Sequence, residues 1–376
     1  MVSVTWEELG AAALARQFPE LPGREAAAVP EMVRLVGPVQ SQTARSPFIG
    51  LAARFPGITH EAVTSAYEAF EIVRGSVIRG TVHTCVAEHH PLLEVATRAG
   101  QRPIWLRTLK LVEPAVDQLW QALEEHARDE WRTPAELFDH LATWVKAHGG
   151  VDTIERGLGR YLAFGHGGLV RRPLKGGWDR QGAPGYRTAA ALLPGDRTAA
   201  LADPHALDEL FREHVRAHGP SSRQDLAWWS GLGLTRVDEV LRRLELPSVS
   251  GPDGQEYVDL RDPRAPREVP GVRLLPEFDA LMCAYAPAAR VRFMAPAIGR
   301  RLWNLNNGMV MPPVLVDGRI TGYWRAPGSA RKRPMEVVWF AGTRRPRTSE
   351  LEEPVAALEQ ALATTVTDVR LTREAL

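Results

Sequence analysis

Two segments of the chain repeat one order of features, and this repeat constrains the fold more than any other part of the sequence. Residues 119–144 and 207–229 each show an amphipathic helix pattern, a break, a capping residue and a second helix pattern that ends in Trp. An acidic residue follows each cap by three positions, as in a capping box. The cap and acid pairs are Thr133 with Glu136 and Ser222 with Asp225. The repeat predicts tandem helix-turn-helix units, although two unrelated capped helices would give the same pattern.

The amino-terminal region has the outline of a third such unit. Trp6–Gln17 and Val29–Val36 have helix patterns, and Pro47–Phe55 predicts a short third helix. Thr59 is a suitable N-cap for a further segment that ends at Phe70. Val73–Val86 then alternates in the manner of two strands joined by a glycine-containing bend. Helices followed by a hairpin are typical of a winged helix.

Length, composition and cysteine usage limit the class of protein. A chain of 376 residues with 44% hydrophobic and 24% charged residues predicts a globular protein of two to three domains. No signal-peptide pattern or membrane-length apolar run is present, which predicts a cytoplasmic location. Cys85 and Cys283 are the two cysteines, so no disulfide framework or cysteine metal cluster is expected.

Metal and nucleotide cofactors are not expected. His214 and His218 have the spacing of a zinc-binding helix, but Glu213 precedes the first His where a metalloprotease places Glu after it. We therefore expect a surface histidine pair without metal. The sequence also lacks the GxGxxG, GKS/T and GxSxG motifs, which removes the usual support for nucleotide-dependent and serine-hydrolase activities.

Positive charge is concentrated in two stretches, although the net charge is only +1. Residues 300–347 hold ten basic residues against two acidic ones, and residues 160–187 hold six against one. Such stretches can hold phosphates, although a general bias toward Arg codons would give the same composition. Within the second stretch, Gly165–Arg187 is glycine-rich and predicts either a wing that approaches DNA or a surface loop.

The carboxyl-terminal region predicts strands. Residues 261–276 contain four prolines and indicate a linker. Val310–Val316 and Arg319–Arg325 flank Asp317-Gly318, which favours a type I′ hairpin. Val337–Phe340 predicts another strand, and residues 350–376 predict an amphipathic helix.

Two glutamines near the amino-terminal end, Gln40 and Gln42, are separated only by the small Ser41. On an extended or turning backbone, two amides two residues apart can aim at one point, whereas on a helix they diverge. Gly37-Pro38 before them and Ser46-Pro47 after them predict a turn or a helix end here. Taken alone, such a tripeptide is more often a solvated surface segment.

Five motifs in matching order resemble the bacterial winged-helix DNA glycosylases of the AlkZ/YcaQ type. The motifs are VQSQ at 39–42, RGTVHT at 79–84, HGP at 218–220, LLPEFD at 274–279 and VLVDGRITGYWR at 314–325. The resemblance covers nearly the whole chain. It implies an α+β, C-shaped monomer of tandem winged helices with a basic channel for double-stranded DNA.

The resemblance also implies where the parts and the site lie. The expected domains are winged helices at 1–90, 91–195 and 196–265, followed by a β-rich region with a groove hairpin and a carboxyl-terminal helix at 266–376. The family's paired catalytic residues fall on Gln40 and Gln42, in the branch with two glutamines. Ser41 is small and polar where many members carry an apolar residue. We predict DNA contacts from Arg45, Arg79, His83, Arg171, Arg172, Lys175, Arg300, Arg301, Trp303, Asn306, Asn307, Arg325, Arg331, Lys332 and Arg333. Trp303 is, by its residue type, also a candidate for the core.

The function that the resemblance implies is excision of bulky N7- or N3-alkylated purines and unhooking of interstrand crosslinks, without a cofactor. It extends to self-resistance in producers of DNA-alkylating antibiotics such as azinomycin. Two neutral amides can orient water but cannot act as a strong base, so the leaving base must carry positive charge. A carboxylate such as Glu277 or Asp317 could assist them. The alternative is a transcription regulator that binds DNA through the same helix-turn-helix units without catalysis.

Overall fold

Within the described part of the chain, one order of elements occurs three times: a helix, a short strand or bridge, two helices and a hairpin. The computed structural model describes residues 3–19, 28–195, 197–261, 265–304, 306–328 and 330–376. After a leading helix, α1 (Trp6–Gln17), the first unit contains α2 (Val29–Val36), β1 (Val39–Gln40), α3 (Ser46–Arg54), α4 (His60–Glu68), β2 (Ile72–Ser76) and β3 (Val82–Val86). The predicted helices and the strand pair of this region are confirmed. Thr59 is the N-cap of α4, as expected, and accepts from the Ala62 amide at 3.1 Å.

The second unit follows a long connecting helix, α5 (His90–Leu109). Its elements are α6 (Ala115–His126), α7 (Pro134–Ala147), α8 (Arg156–Phe164), β4 (Leu169–Pro173) and β5 (Pro184–Thr188). An Arg132–Tyr186 bridge takes the place of its first strand. Gly165–Arg187 is therefore a strand pair and its connection rather than loop alone. The short helices α9 (Ala189–Leu192) and α10 (Arg197–Ala202) lead onward.

The third unit packs against the carboxyl-terminal region. It contains α11 (Ala206–His218), β6 (Ser221–Ser222), α12 (Arg223–Ser230), α13 (Leu234–Leu244), β7 (Ser248–Ser250) and β8 (Glu256–Val258). Phe211 and Trp229 of this unit share one hydrophobic core with Tyr285 and Phe293. This packing brings the end of α12 next to residues 278–303.

Both predicted capping boxes are present. The Thr133 amide donates to Glu136 at 2.7 Å, and the Glu136 amide donates to the Thr133 hydroxyl at 3.3 Å. Ser222 and Asp225 make the same two bonds, each at 3.1 Å. These bonds satisfy amides that the first turn of a helix leaves without partners, so local sequence fixes where α7 and α12 begin.

The carboxyl-terminal region is built on a five-stranded sheet. Its elements are β9 (Val272–Leu274), α14 (Ala280–Cys283), α15 (Pro296–Leu302), β10 (Trp303–Asn304), β11 (Met309–Val310), β12 (Pro313–Val316), β13 (Arg319–Arg325), β14 (Lys332–Phe340), α16 (Glu352–Leu362) and β15 (Thr365–Glu374). The strand order is β15-β14-β13-β12-β9, with β14 and β15 parallel. The expected helix over 350–376 is correct only for α16, because TVTDVRLTRE alternates and pairs with β14 as an edge strand.

The predicted type I′ hairpin is confirmed. Asp317 and Gly318 both have positive φ, at 46° and 76°. The two strands that they join lie inside the sheet, and residues 320–324 are buried. A second, smaller hairpin is formed by β10 and β11.

The first two units share a sheet with the order β1-β3-β2-β4-β5. The link between them is the pairing of Arg74 with Arg171 and of Gly75 with Val170. This sheet contains strands from both sides of residue 90, where a domain boundary was predicted. The predicted domain limits stay predictions.

Candidate active site and nucleic-acid interface

Gln40 and Gln42 line one cavity of about 510 Å³. Gln40 pairs with His83 in the ladder between β1 and β3, and the Ser41 amide donates to the Val82 carbonyl at 2.7 Å. The helix end that the Gly-Pro pair predicts is present, since α2 ends at Val36 and the extended strand β1 follows at Val39–Gln40. Both amide side chains reach the same cavity. Gln40 is 8% exposed, whereas Gln42 is exposed to solvent.

The carbonyl oxygen of the Gln40 side chain is buried and unpaired. Among the described residues, no group donates a hydrogen bond to Oε1 of Gln40. A buried acceptor left without a partner costs about 1–3 kcal/mol of stability. A rotation of the Gln40 side chain toward the cavity that it lines would bring this oxygen within reach of a donor such as water and recover this free energy.

Several parts of the chain form the remaining walls of this cavity. They are the turn between β2 and β3 with the start of β3, the end of α8, β4, the end of α12 and the carboxyl-terminal region. The wall residues are Arg79, Gly80, Thr81, Val82, Tyr161, Phe164, Arg171, Trp228, Phe278, Cys283, Trp303, Asn307, Gly308 and Met309. Of the predicted site residues, the structure thus brings Arg79, Arg171, Trp303 and Asn307 together with the two glutamines.

Arg79 and His83 are held by the protein itself. One nitrogen of Arg79 donates to the carbonyls of Trp228 and Trp229 at 2.8 and 2.7 Å, and burial lowers its pKa. His83 is 3% exposed, and burial lowers its pKa to about 3. Its Nδ1 lies 3.0 Å from the Thr81 carbonyl. We expected His83 to contact DNA. In the structure its ring is neutral and enclosed, so it does not offer such a contact.

Arg171, Arg172 and Lys175 follow the strand β4 outward. Arg171 is half-buried at the cavity, and burial lowers its pKa. The guanidinium of Arg172 lies over the Trp131 ring at 5.4 Å. Lys175 is exposed in the connection between β4 and β5. The basic side chains of this segment thus extend from the half-buried Arg171 at the cavity to the exposed Lys175 in solvent.

A second cavity of about 380 Å³ lies beside the segment that follows Gln42. Arg45, Arg180 and Arg333 line it together with Gln181, and we call this the arginine pocket. Burial and then the charges of Arg45 and Arg180 lower the pKa of Arg333. Arg45 is also paired with Glu277. Asp179 also lines the pocket and offsets part of this charge, but the three guanidiniums leave an excess of positive charge that favours an anion such as a phosphate.

Sequence reasoning named Arg45 and Arg333 but missed Arg180 and Gln181 of the arginine pocket. The Gln181 side chain accepts from the Ala44 amide at 3.3 Å, which joins the β4–β5 connection to the residues after Gln42. The high positive charge of residues 160–187 was the one available signal for Arg180.

The remaining residues predicted to contact DNA lie from α15 to the start of β14. They differ in whether their side chains are exposed or already paired with an acidic residue. Arg300, Arg331 and Lys332 are exposed. Arg301 pairs with Glu374 at 2.5 Å, and Arg325 pairs with Glu336 at 2.5 Å.

Asn306 and Asn307 lie exposed in the β10–β11 turn, where Asn307 accepts from the Met309 amide at 3.0 Å. Of residues 300–325, Trp303 and the residues 307–309 line the cavity, whereas β13 is interior to its sheet.

A family model for AlkZ-like DNA glycosylases matches residues 33–361 of the chain. The chain belongs to the AlkZ-like DNA glycosylase family. It is therefore an enzyme that hydrolyses N-glycosyl bonds. It is 22% identical over 388 residues to the "Interstrand DNA cross-link repair glycosylase" of Streptomyces sahachiroi, covering 98% of this chain and 100% of that protein. The solved structure of Streptomyces sahachiroi DNA glycosylase AlkZ superposes with a TM-score of 0.78 at 20% identity, over 99% of this chain and 100% of the other. This structural likeness shows a shared fold.

Two carboxylates are candidates to assist the glutamines of this AlkZ-like glycosylase. Asp317 accepts from the Gly271 amide at 2.8 Å and pairs with Arg344 at 3.0 Å. It lines a separate surface cavity with Arg292, away from Gln40. Glu277 is 7% exposed, is bound to Arg45 and directly precedes the cavity residue Phe278. Of the two, only Glu277 lies near the site.

The histidine pair of the AlkZ-like glycosylase is internal, not on its surface. His214 and His218 are each 1% exposed, and their rings lie 4.9 Å apart. Nδ1 of His218 lies 3.1 Å from the Gln17 amide nitrogen. No group of three potential metal ligands occurs among the residues that the structure describes. In the same ranges, no helix has the length and apolar character needed to cross a membrane.

Proposed function

We propose that this AlkZ-like glycosylase excises bulky N7- or N3-alkylated purines from double-stranded DNA and unhooks interstrand crosslinks such as azinomycin-type adducts. The observation that carries the proposal is the unpaired, buried carbonyl of Gln40 beside Gln42 in one cavity. The Streptomyces sahachiroi relative is named for interstrand crosslink repair, which supports the same class of lesion.

The two amides suit a reaction whose leaving group is already activated. The Gln40 carbonyl accepts a hydrogen bond from the attacking water, and the exposed Gln42 amide holds the water from its other side. As the C1′–N bond breaks, its electron pair neutralises the cationic purine. The water oxygen then bonds to C1′, and its proton passes to solvent. Normal guanine carries no such charge and is spared because it leaves poorly.

The form of the cavity suits a crosslinked base. A base tied to the opposite strand cannot turn fully into a closed pocket, unlike the usual flipped substrate. Gln42 and Met309 line the cavity and are also exposed, so the site opens directly onto solvent. The lesion can therefore approach from a groove, with the β10–β11 hairpin at the rim.

Phosphate contacts are proposed for the basic side chains that remain available. These are Arg180 and Arg333 of the arginine pocket, Arg171, Lys175, Arg300, Arg331 and Lys332. We assign Asn306 and Asn307 to the groove because amides can read base edges there. The three repeated units would act as winged helices around duplex DNA in a C-shaped monomer. Three units in one chain supply an extended surface without the dimer that regulators commonly use.

The experiment is an incubation of duplex DNA containing 7-methylguanine with the protein in the presence of a chelator, followed by alkali. The proposal predicts free 7-methylguanine and strand breaks at the lesion. A crosslinked duplex should yield single strands in the same assay. Sequence-selective gel shifts without base release would show a DNA-binding regulator instead.

A further inference from the structure

One wall of the cavity beside the glutamines is apolar, and this wall has no role in orienting the attacking water. Trp228, Phe278, Trp303 and Met309 form it, and we call these four side chains the aromatic wall. They come from α12, the segment before α14, and both strands of the β10–β11 hairpin. Met309 is 44% exposed and places this apolar wall at the opening of the cavity. An apolar wall at a polar reaction centre indicates an apolar ligand.

The two tryptophans are fixed before any ligand arrives. The Trp228 ring nitrogen donates to the Cys283 carbonyl at 3.1 Å. The rings of Trp228 and Trp303 meet edge to face, with centroids 6.2 Å apart. Both rings are half-buried. The guanidinium of Arg79, which also lines the cavity, lies over the Trp228 ring at 5.9 Å, whereas no cavity residue among those described lies over Trp303 in this way. A rigid aromatic surface binds a flat group at little cost in conformational entropy.

The position of Arg290 determines whether the aromatic wall binds a charged or a neutral group more strongly. Its guanidinium lies 4.4 Å from the Trp303 centroid and 5.1 Å from that of Trp228. Arg290 is 9% exposed and does not line the cavity, so it contacts the rings from the protein side. A cation already placed over these rings weakens their attraction for a second cation and repels it. The cavity side of the wall therefore favours a neutral apolar group over the positively charged purine.

We propose that the aromatic wall binds the neutral, apolar body of the alkylating agent that is still attached to the purine. This inference rests on the proposed function and specifies its substrate class. The preferred lesion is a purine adduct whose substituent is flat or aliphatic and larger than a methyl group. The glutamines then act on the sugar while the wall holds the drug-derived part.

The test compares the second-order rate constants of single-turnover base release, measured with enzyme in excess over DNA but below saturation, for two duplexes. One contains 7-methylguanine, and the other contains guanine alkylated at N7 with a naphthylmethyl group. Stacking on an aromatic side chain is worth about 1–3 kcal/mol, so Trp303→Ala should lower the ratio of the naphthylmethyl rate constant to the methyl rate constant by about fivefold or more. Trp303→Phe should restore most of this ratio.

The matched control is Trp339→Ala, because Trp339 is also a half-buried tryptophan with an arginine, Arg345, over its ring at 5.0 Å. It lies in β14 and does not line the cavity, so the ratio should not change. Met309→Ser tests the wall at an exposed position where folding is not at risk, and it should lower the ratio as well. Equal losses on both substrates in the wall variants would overturn the inference while leaving the proposed function intact. If the wild-type protein releases neither base, the proposed function itself fails.

Discussion

The hydroxyl oxygens of Ser41 and Thr84 lie 2.7 Å apart beneath the two glutamines. Ser41 also donates to the Val39 carbonyl at 2.9 Å, and Tyr67 shares the Thr84 hydroxyl at 2.5 Å. A polar residue between the glutamines therefore has a partner in the neighbouring strand. This contact explains why a small polar side chain suits this position.

Removing this contact should weaken the strand that holds the glutamines. We expect Ser41→Ala to lower the free energy of unfolding by about 1 kcal/mol, since a buried hydrogen bond contributes about 0.5–1.5 kcal/mol. Urea unfolding of Ser41→Ala, Thr84→Val and the double variant measures the coupling between them. Ser65→Ala, on the exposed side of α4, is the control. Strictly additive effects would show that the two hydroxyls do not interact.

The arginine pocket should contribute one phosphate contact through Arg180. Arg180→Gln is expected to weaken binding to duplex DNA of any sequence and to reduce the slope of log K against log salt by about 0.9. Titrations at several salt concentrations measure this slope. Arg212→Gln, at a side chain of α11 that is 42% exposed beside Glu209, should leave it unchanged. An unaltered slope in Arg180→Gln would remove this residue from the interface.

Stability should fall as the pH falls below 6.5. Burial lowers the pKa of His83 and of His218 to about 3 and that of His90 to about 4, whereas the unfolded chain titrates near 6.5. Between these values the unfolded state binds more protons than the folded state, so acid favours unfolding. The stability these neutral rings provide is complete above pH 6.5 and is lost progressively toward pH 3.

Urea unfolding at pH 7.5, 6.0 and 5.0 measures this effect. Three histidines together give a slope of up to about 4 kcal/mol per pH unit once the unfolded rings are protonated. His218→Gln should reduce the slope by about one proton. A free energy of unfolding that is constant from pH 7.5 to 5.0 would contradict the assignment of these rings as buried and neutral.

Local chemistry made much of the fold predictable, and long-range packing set the limit. Capping residues such as Thr133 and Ser222 act on amides three positions away, so the helix starts follow from the sequence. The strand Thr365–Glu374 was expected as part of a helix, because its parallel pairing with β14 is not visible locally. The same limit applies to His214 and His218, whose burial depends on the elements that cover α11.

The site was predictable to a smaller extent. The two glutamines were found through their motif and its extended backbone. Trp228 and Arg180 were missed, because each reaches its cavity only through contacts distant in sequence. Counting charges over 300–347 overstated the free basic surface, since Glu350 and Glu374 pair with Arg344 and Arg301 from outside that stretch.

The most direct test of the account is the single-turnover rate of 7-methylguanine release by the wild-type protein, Gln40→Ala, Gln42→Ala and the double variant. All four should bind the lesion duplex alike, which a gel shift checks. Positioning of water by one group is worth on the order of 10²-fold, so each single variant should lose about that factor. The double variant should approach the uncatalysed rate. Release by the double variant at the wild-type rate would contradict the assignment of catalysis to this pair of amides.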